Sequence, residues 1–540
     1  MRTAFKTWSV CLLLLAAVML VIGPVAVNAE TPKRGGDLVA GYGQFPRHFN
    51  HAIQSGAATA TPGTQIFASL VEINQKWQPV PYLAKSWEVS ADKLTYTFHL
   101  VKNATFHDGT PVTSEDVAFS FEIVKKNHSF GPSMLGPVDR VETPDKYTVV
   151  FKLSKPHPAL FLVLSPPLLP ILPKHIYNEE ENGPIRKNPA NIKPVGSGPF
   201  KLVEFKPGDY FVLERYDKFF RPGRPYLDRM IGRKIKDPSA NFIALKKGDF
   251  HMALFNSGLR LKQVEALKKM KHLVVTSRGY EGIAAIYFLE FNLRKDKFKD
   301  VRVRQAIAHA IDKNFITQKL HYGYSKPATG PIHSSFPWYT DNVTLYDYNL
   351  KKANQLLDDA GYPRKANGIR FSATIDWYPG EPDSMDTIAQ YLKPQLKKVG
   401  IDVQLRPPAD FLSWYKRIAG WQHDMTMSNI YSWGDPMIGV HRLYLCNNQK
   451  HVVWTNTSGY CNPELDAVMA KAAVETDGAK RKALYVEMQQ LLTADVPLIW
   501  THEAPYQSIY NKDLRNVITS IWGSMTPFDK VYWKDGHAPK

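Results

Sequence analysis

Two hydrophobic periods alternate along this chain, and no other feature narrows its fold so far. Apolar residues recur at every second position in Thr95–Leu100, in residues 147–153 and in Ile401–Leu405, the pattern of half-buried strands. Residues 36–42 read as a first strand. Helical spacing takes over in residues 113–126, where Val117, Phe121 and Val124 share a face. Thr113-Ser-Glu-Asp opens that helix with a cap and with acids in its first turn. Residues 301–311 carry Val303, Ala306, Ile307, Ala310 and Ile311 on one side. Residues 351–360 form another helix, stopped by Gly361 and Pro363, and residues 387–399 a third, ended by Gly400. Residues 464–474 and 479–492 follow, the second stopping before Pro497. Residues 154–174 hold six prolines and read as an extended connection. With no internal repeat or low-complexity tract, the alternation predicts an α/β fold of mixed layers. A length of 540 residues allows two to four domains.

The first residues stand apart. Arg2 and Lys6 precede an apolar run from Val10 to Ile22, broken by Gly23-Pro24. Val27-Asn28-Ala29 then supplies the residues a signal peptidase reads, so residues 1–29 read as a signal peptide cleaved after Ala29. The run is too short to span a bilayer comfortably; an uncleaved N-terminal anchor is the alternative. Cys11 lies inside the apolar run, so it is not read as a lipidation site. The expected product is an exported, periplasmic protein.

Removing residues 1–29 takes away two cations and no acid, which lowers the net charge from +18 to +16. The basic residues are scattered, and export argues against a nucleic-acid partner. Cys446 and Cys461 remain. An oxidising compartment favours a disulfide between them, across a loop containing Asn447-Asn448 and Thr457-Ser-Gly459. A zinc site is the poorer alternative, since it needs four ligands.

Catalytic patterns are not visible. There is no Gly-x-Ser-x-Gly elbow and no phosphate loop, and His502-Glu503 lacks the second histidine of a zinc-protease helix. Ser90-Ala-Asp-Lys93 falls in a turn between strands, and His107-Asp108 precedes a Gly-Thr-Pro turn, so both read as structural. No enzyme activity and no cofactor or metal are expected.

Three stretches resemble, in order, the peptide-binding receptors of ABC importers, extracytoplasmic solute-binding protein family 5. The first is Pro81-Tyr-Leu-Ala-Lys-Ser-Trp-Glu, continuing to Phe106-His-Asp-Gly-Thr-Pro111 and Glu115-Asp-Val117. The second is Val195-Gly-Ser-Gly-Pro-Phe200, whose glycines read as a turn with positive φ. The third is Val301-Arg-Val-Arg-Gln-Ala-Ile-Ala-His-Ala-Ile-Asp312. Weaker echoes extend the resemblance over residues 35–505. It implies a periplasmic-binding-protein-like α/β fold of the cluster C type, with two lobes around a hinged cleft and an extra inserted domain. The implied units are a discontinuous first domain (30–70, 190–285, 505–540), an insert (71–189) and a last domain (286–504).

The same resemblance implies a monomeric receptor that captures a di- or oligopeptide and passes it to permease subunits in the inner membrane. Non-peptide ligands are the alternative: metal chelates, opines, sugars or plant compounds. A secreted hydrolase is the remote one. The ligand is expected at Gln44, Phe45, His48 and Phe49 after the first strand, and at Tyr378, Phe411, Trp414, Tyr431, Ser432, Trp433 and Asp435 in the last domain. Aromatic faces suit a promiscuous pocket, and core packing is the competing reading for each. One departure stands out. Peptide binders of this family hold the ligand's amino terminus with an aspartate three residues before an acid-proline pair. The pair here is Asp435-Pro436, which puts Ser432 at that place. Asp435 substitutes, or the alignment slips, or the ligand has no free amine.

Overall fold

The computed structural model describes residues 30–539, apart from 236 and 380–384. Residues 1–29, read above as a signal peptide, lie outside the described residues. Three main sheets organise the rest. A seven-stranded sheet runs in the order Leu273–Thr276, Ser508–Asn511, Met252–Ala253, Asp37–Tyr42, Arg229–Lys234, Tyr210–Arg215, Phe200–Lys206. A five-stranded sheet runs Ile401–Leu405, Phe371–Trp377, Met425–Ile430, Ile286–Phe291, Leu498–Glu503. A four-stranded antiparallel sheet is built from Ala84–Val89, Thr95–Leu100, Thr148–Leu153 and Val138–Asp145. The first two sheets belong to two lobes, and the chain passes between those sheets twice. It leaves Leu273–Thr276 for Ile286–Phe291, and it returns from Leu498–Glu503 to Ser508–Asn511. The crossings lie side by side: the Ala504 amide donates to the Ala285 carbonyl at 3.0 Å.

The elements form where local chemistry directs them. Helix Ser114–Asn127 starts at a capping box between Thr113 and Asp116, and Val117, Phe121 and Val124 fill its buried face. The two helices stopped by glycine, Leu350–Asp359 and Met385–Lys398, end with Gly361 at φ 83° and Gly400 at φ 83°. Strands Thr95–Leu100 and Thr148–Leu153 alternate between buried and half-buried residues, as their sequence predicts. Residues 154–174 are not wholly extended. Leu160–Val163 makes one helical turn with Leu160 and Val163 buried, because residues 159–165 are the longest stretch there without proline.

The motifs that carried the resemblance bind one another. His107 lies in the first motif and Gly196 and Gly198 in the second. The His107 amide donates to Gly196 O at 2.8 Å, and the His107 ring reaches Gly198 O at 3.1 Å. Neither glycine has the positive φ that the sequence suggested. Their role is close approach: a Cβ on either would run into the backbone of Ile66, and one on Gly198 also into that of Gln65, while the Gly198 amide donates to Ile66 O at 2.8 Å. The third motif works similarly. Arg304 is buried, and its guanidinium donates to the carbonyls of Phe298, Lys299, Asp495 and Val496. Cys446 and Cys461 form a disulfide. A closed loop of that size contributes about 3 kcal/mol in the chain-entropy view.

These contacts predict an asymmetry between glycines. Gly196→Ala should cost about 1–3 kcal/mol through overpacking. Gly109→Ala, at φ 92° with open space around it, should cost about 1 kcal/mol from backbone strain alone. Denaturant melts of both variants check the order.

Candidate functional site

Strand directions decide which end of the five-stranded sheet meets the other lobe. Both crossings leave from one end, where Ile286 pairs with Glu503 and also with Ile430. Phe371–Trp377 and Ile401–Leu405 run parallel to Met425–Ile430, so their carboxyl ends point the same way. Tyr378, helix Phe411–Ala419 and residues 431–435 therefore all sit at the cleft-facing end, where α/β sheets place their ligands. On the opposing sheet, Asp37–Tyr42 ends beside the start of Ser508–Asn511, so the loop 43–49 leaves at the crossings as well.

The residues expected to meet ligand form three groups. In the first, Gln44 is exposed and Phe45 half-buried, while Phe49 is fully buried with Phe205 at 4.9 Å and Phe211 at 5.6 Å. Phe49 is thus a core residue: it fills the space above strands Phe200–Lys206 and Tyr210–Arg215. His48 is half-buried, and burial lowers its pKa. The second group is an aromatic cluster. Tyr378 lies 6.1 Å from Phe411 and 5.4 Å from Trp414. Trp454 joins it, stacked on Phe411 at 6.1 Å. Trp414 is 1% exposed and donates its indole N–H to Thr426 Oγ1 at 3.1 Å, so it is the buried floor. Phe411 is 44% exposed and Leu412 53%, an open apolar surface above that floor.

The third group lies on the crossings. The Ser432 amide donates to Ile283 O at 2.8 Å, and its hydroxyl donates to Ala284 O at 3.2 Å. The Gly434 amide donates to Gly282 O at 2.7 Å. Tyr431 OH lies 3.1 Å from Tyr506 OH, and Tyr287 OH lies 3.4 Å from the same group. Trp433 packs on Phe130, at 5.8 Å, from the lobe that holds the four-stranded sheet. Asp435 does not present its charge to a cleft. It is 1% exposed, caps the turn Pro436–Gly439, and pairs with the Arg481 guanidinium at 2.7 and 2.9 Å. Tyr485 OH donates to the same carboxylate at 3.3 Å. Both oxygens are engaged, so Asp435 cannot also serve as an amine anchor, and Ser432 offers no carboxylate.

A family model of the bacterial extracellular solute-binding proteins, family 5, matches residues 78–451. The chain belongs to that family. A Brucella ovis protein provisionally named as an ABC transporter peptide-binding protein is 30% identical over 489 residues, covering 88% of this chain and 89% of its own. The Helicobacter pylori periplasmic binding protein DppA, solved with the peptide STSA, superposes with a TM-score of 0.79 at 26% identity, over 93% of this chain and 99% of its own. NikZ of Campylobacter jejuni, solved with Ni(L-His), gives 0.78 at 25% identity, over 91% and 97%. This family 5 protein therefore has the α/β two-lobed fold of solute-binding receptors. No described helix is long and apolar enough to cross a membrane. Among the described residues, no three His, Cys, Asp or Glu side chains gather as a metal-binding group.

Several residues here escaped the sequence reading. Trp454 is 40 residues beyond Trp414, inside the disulfide loop. Tyr280 and Tyr506 come from the two crossings, with their rings 5.5 Å apart, and Tyr287 from the strand that follows the first. Arg481 has no local signal marking it as the partner of Asp435. Tyrosines within a few residues of the expected hinge were the one available cue.

Two outcomes follow for this family 5 protein. Asp435→Ala strands the buried Arg481 charge and should cost about 3–5 kcal/mol in urea melts. Burial also pushes His51, His107, His157, His321 and His441 from 6.5 down to about 4. Below pH 6.5 the unfolded chain takes up these protons and the folded chain does not. Stability is therefore full above pH 6.5 and is lost as pH falls toward 4. Tm should drop steadily from pH 7 to 4.5, with a shallower slope in His441→Gln.

Proposed function

We propose that this protein is an exported receptor that captures a di- or oligopeptide between its lobes and delivers it to the permease subunits of an ABC importer in the inner membrane. It acts as a monomer in the periplasm, after cleavage following Ala29, and it performs no chemistry. Family membership supports the receptor role. The observation that carries the ligand site is the aromatic cluster of Tyr378, Phe411, Trp414 and Trp454 at the cleft-facing end, with Phe411 and Leu412 left open. The Brucella relative's name and the Helicobacter complex with a peptide support the ligand class.

The working units are 30–70 with 190–285 and 505–540, then 71–189, then 286–504. The run of strands through each main sheet supports this division. The lobes would close about the crossings at 277–285 and 504–507, and Gln44, Phe45, His48, Tyr378, Phe411 and Tyr431 would meet the ligand.

A second reading has its own observation. With Ser432 bonded to a carbonyl and Asp435 committed to Arg481, no carboxylate stands at the position that anchors a peptide amine. A buried ammonium without one is costly. A ligand lacking a free amine, such as a sugar or a metal chelate whose amines are bound to the metal, fits that arrangement. Native mass spectrometry of protein purified from its source separates the readings by the mass that co-purifies. Phe411→Ala should weaken capture of that ligand at least about tenfold while leaving the melt within about 0.5 kcal/mol, as expected for an exposed side chain. Unchanged affinity would remove the aromatic cluster from the site.

A further inference from the structure

The crossings have two flanks. The loops 43–49 and 431–435 lie on one. On the other, a cleft of about 660 Å³ opens between the lobes, a volume typical of small-molecule sites. Its position follows from the topology. One wall is the edge strand Leu273–Thr276 with helix Leu261–Lys268 beside it. The other wall is residues 322–335, which run beside the edge strand Leu498–Glu503 through a bridge between Pro327 and His502. Ala284, Ala285, Ala504 and Tyr506 form the partition between the two flanks.

The walls carry charge of both signs, divided between the lobes. The first wall holds Glu265, Lys268, Arg278 and Glu281. The second holds Lys326, His333 and Glu503. Glu503 is satisfied within its own wall, by the Ser334 amide at 2.6 Å and the Ser334 hydroxyl at 2.9 Å. Glu265 accepts from Tyr324 OH of the facing lobe at 2.7 Å, and Lys268 lies 5.7 Å from that ring, so the walls already touch at one end. Lys326 is exposed, with no carboxylate within 4 Å among the described residues. Glu281 reaches only its neighbour's amide, Gly279, at 2.9 Å in the described hydrogen bonds. An acid of one lobe and an ammonium of the other thus line the same cleft, neither in a described ion pair. Three carboxylates and three permanent cations line the cleft, so neither a pure anion nor a pure cation is favoured.

We propose that this rear cleft is a second binding site, for a small zwitterion of amino-acid size, whose ammonium meets Glu281 and whose carboxylate meets Lys326. Such a ligand ties the lobes together from behind. Its binding must then alter the affinity of the front cleft, and the front ligand must alter its binding by the same factor. Tyr506 is the shared element: it walls the rear cleft and contacts Tyr431 in the front.

The test uses the mature chain and L-glutamine as probe, with N-acetyl-L-glutamine and L-glutamine amide as single-charge controls. Saturation-transfer NMR should show saturable binding of glutamine at millimolar concentration or below, weakened at least tenfold by either control. Glu281→Gln and Lys326→Gln should each weaken it comparably, while Phe411→Ala in the front cleft should leave it unchanged. No saturation, binding that survives both rear variants, or binding lost in Phe411→Ala would each overturn the proposal. The last result would place glutamine in the front cleft instead, and so separates this site from the proposed peptide site.

Discussion

Residues 282–285 bind both the returning crossing and the loop 432–434 through backbone hydrogen bonds, and the geometry of the cleft depends on that three-segment seam. Ala285 accepts from Ala504, Ile283 from Ser432 and Gly282 from Gly434. Backbone bonds of this kind do not vary with side chain, so the seam fixes residues 431–435 against the hinge whatever the cleft holds. Trp433 and Gly434 are then driven toward the other lobe, where Phe130, Leu162 and Trp522 receive them. The buried pair of Asp435 and Arg481 sits behind this loop and holds it in place. The same seam explains why Ser432 has no freedom to reach a ligand amine: its hydroxyl is already bonded to Ala284.

Much of the fold was legible in the sequence because surface elements announce themselves. Helix Ser114–Asn127 was visible through its cap and its 3.6-residue period, and Thr95–Leu100 through its alternation. Three fully buried strands of the second lobe were not. Ile286–Phe291, Met425–Ile430 and Leu498–Glu503 are buried on both faces, so no period of two marks them, and their mixed polar content hides them further. Gly196 and Gly198 were recognised as constrained, but for a dihedral reason; steric exclusion by Ile66 cannot be seen without its position. At the candidate site, three of the aromatic residues singled out from the sequence, Tyr378, Phe411 and Trp414, converge in one cluster. Which ring is floor and which is open surface depends on Thr426 and Trp454, both distant in sequence from Tyr378.

The family motifs gain a physical meaning from these contacts. His107 with Gly196 and Gly198 joins segments some ninety residues apart, and Arg304 with Asp495 and Val496 joins segments about 190 residues apart. Each motif is one half of a clasp between segments far apart in the chain. None of them touches the cleft-facing aromatic cluster in the described contacts, so their work is on the scaffold.

The strand order of the first lobe has a consequence for the birth of the molecule. Ser508–Asn511 lies between Leu273–Thr276 and Met252–Ala253, inside the sheet rather than at its rim. A ribosome must deliver almost the entire chain before that gap is filled, so the sheet begun by Asp37–Tyr42 stays open throughout synthesis. The four-stranded sheet, complete within residues 84–153, needs no such wait, so the two sheets are born on different schedules.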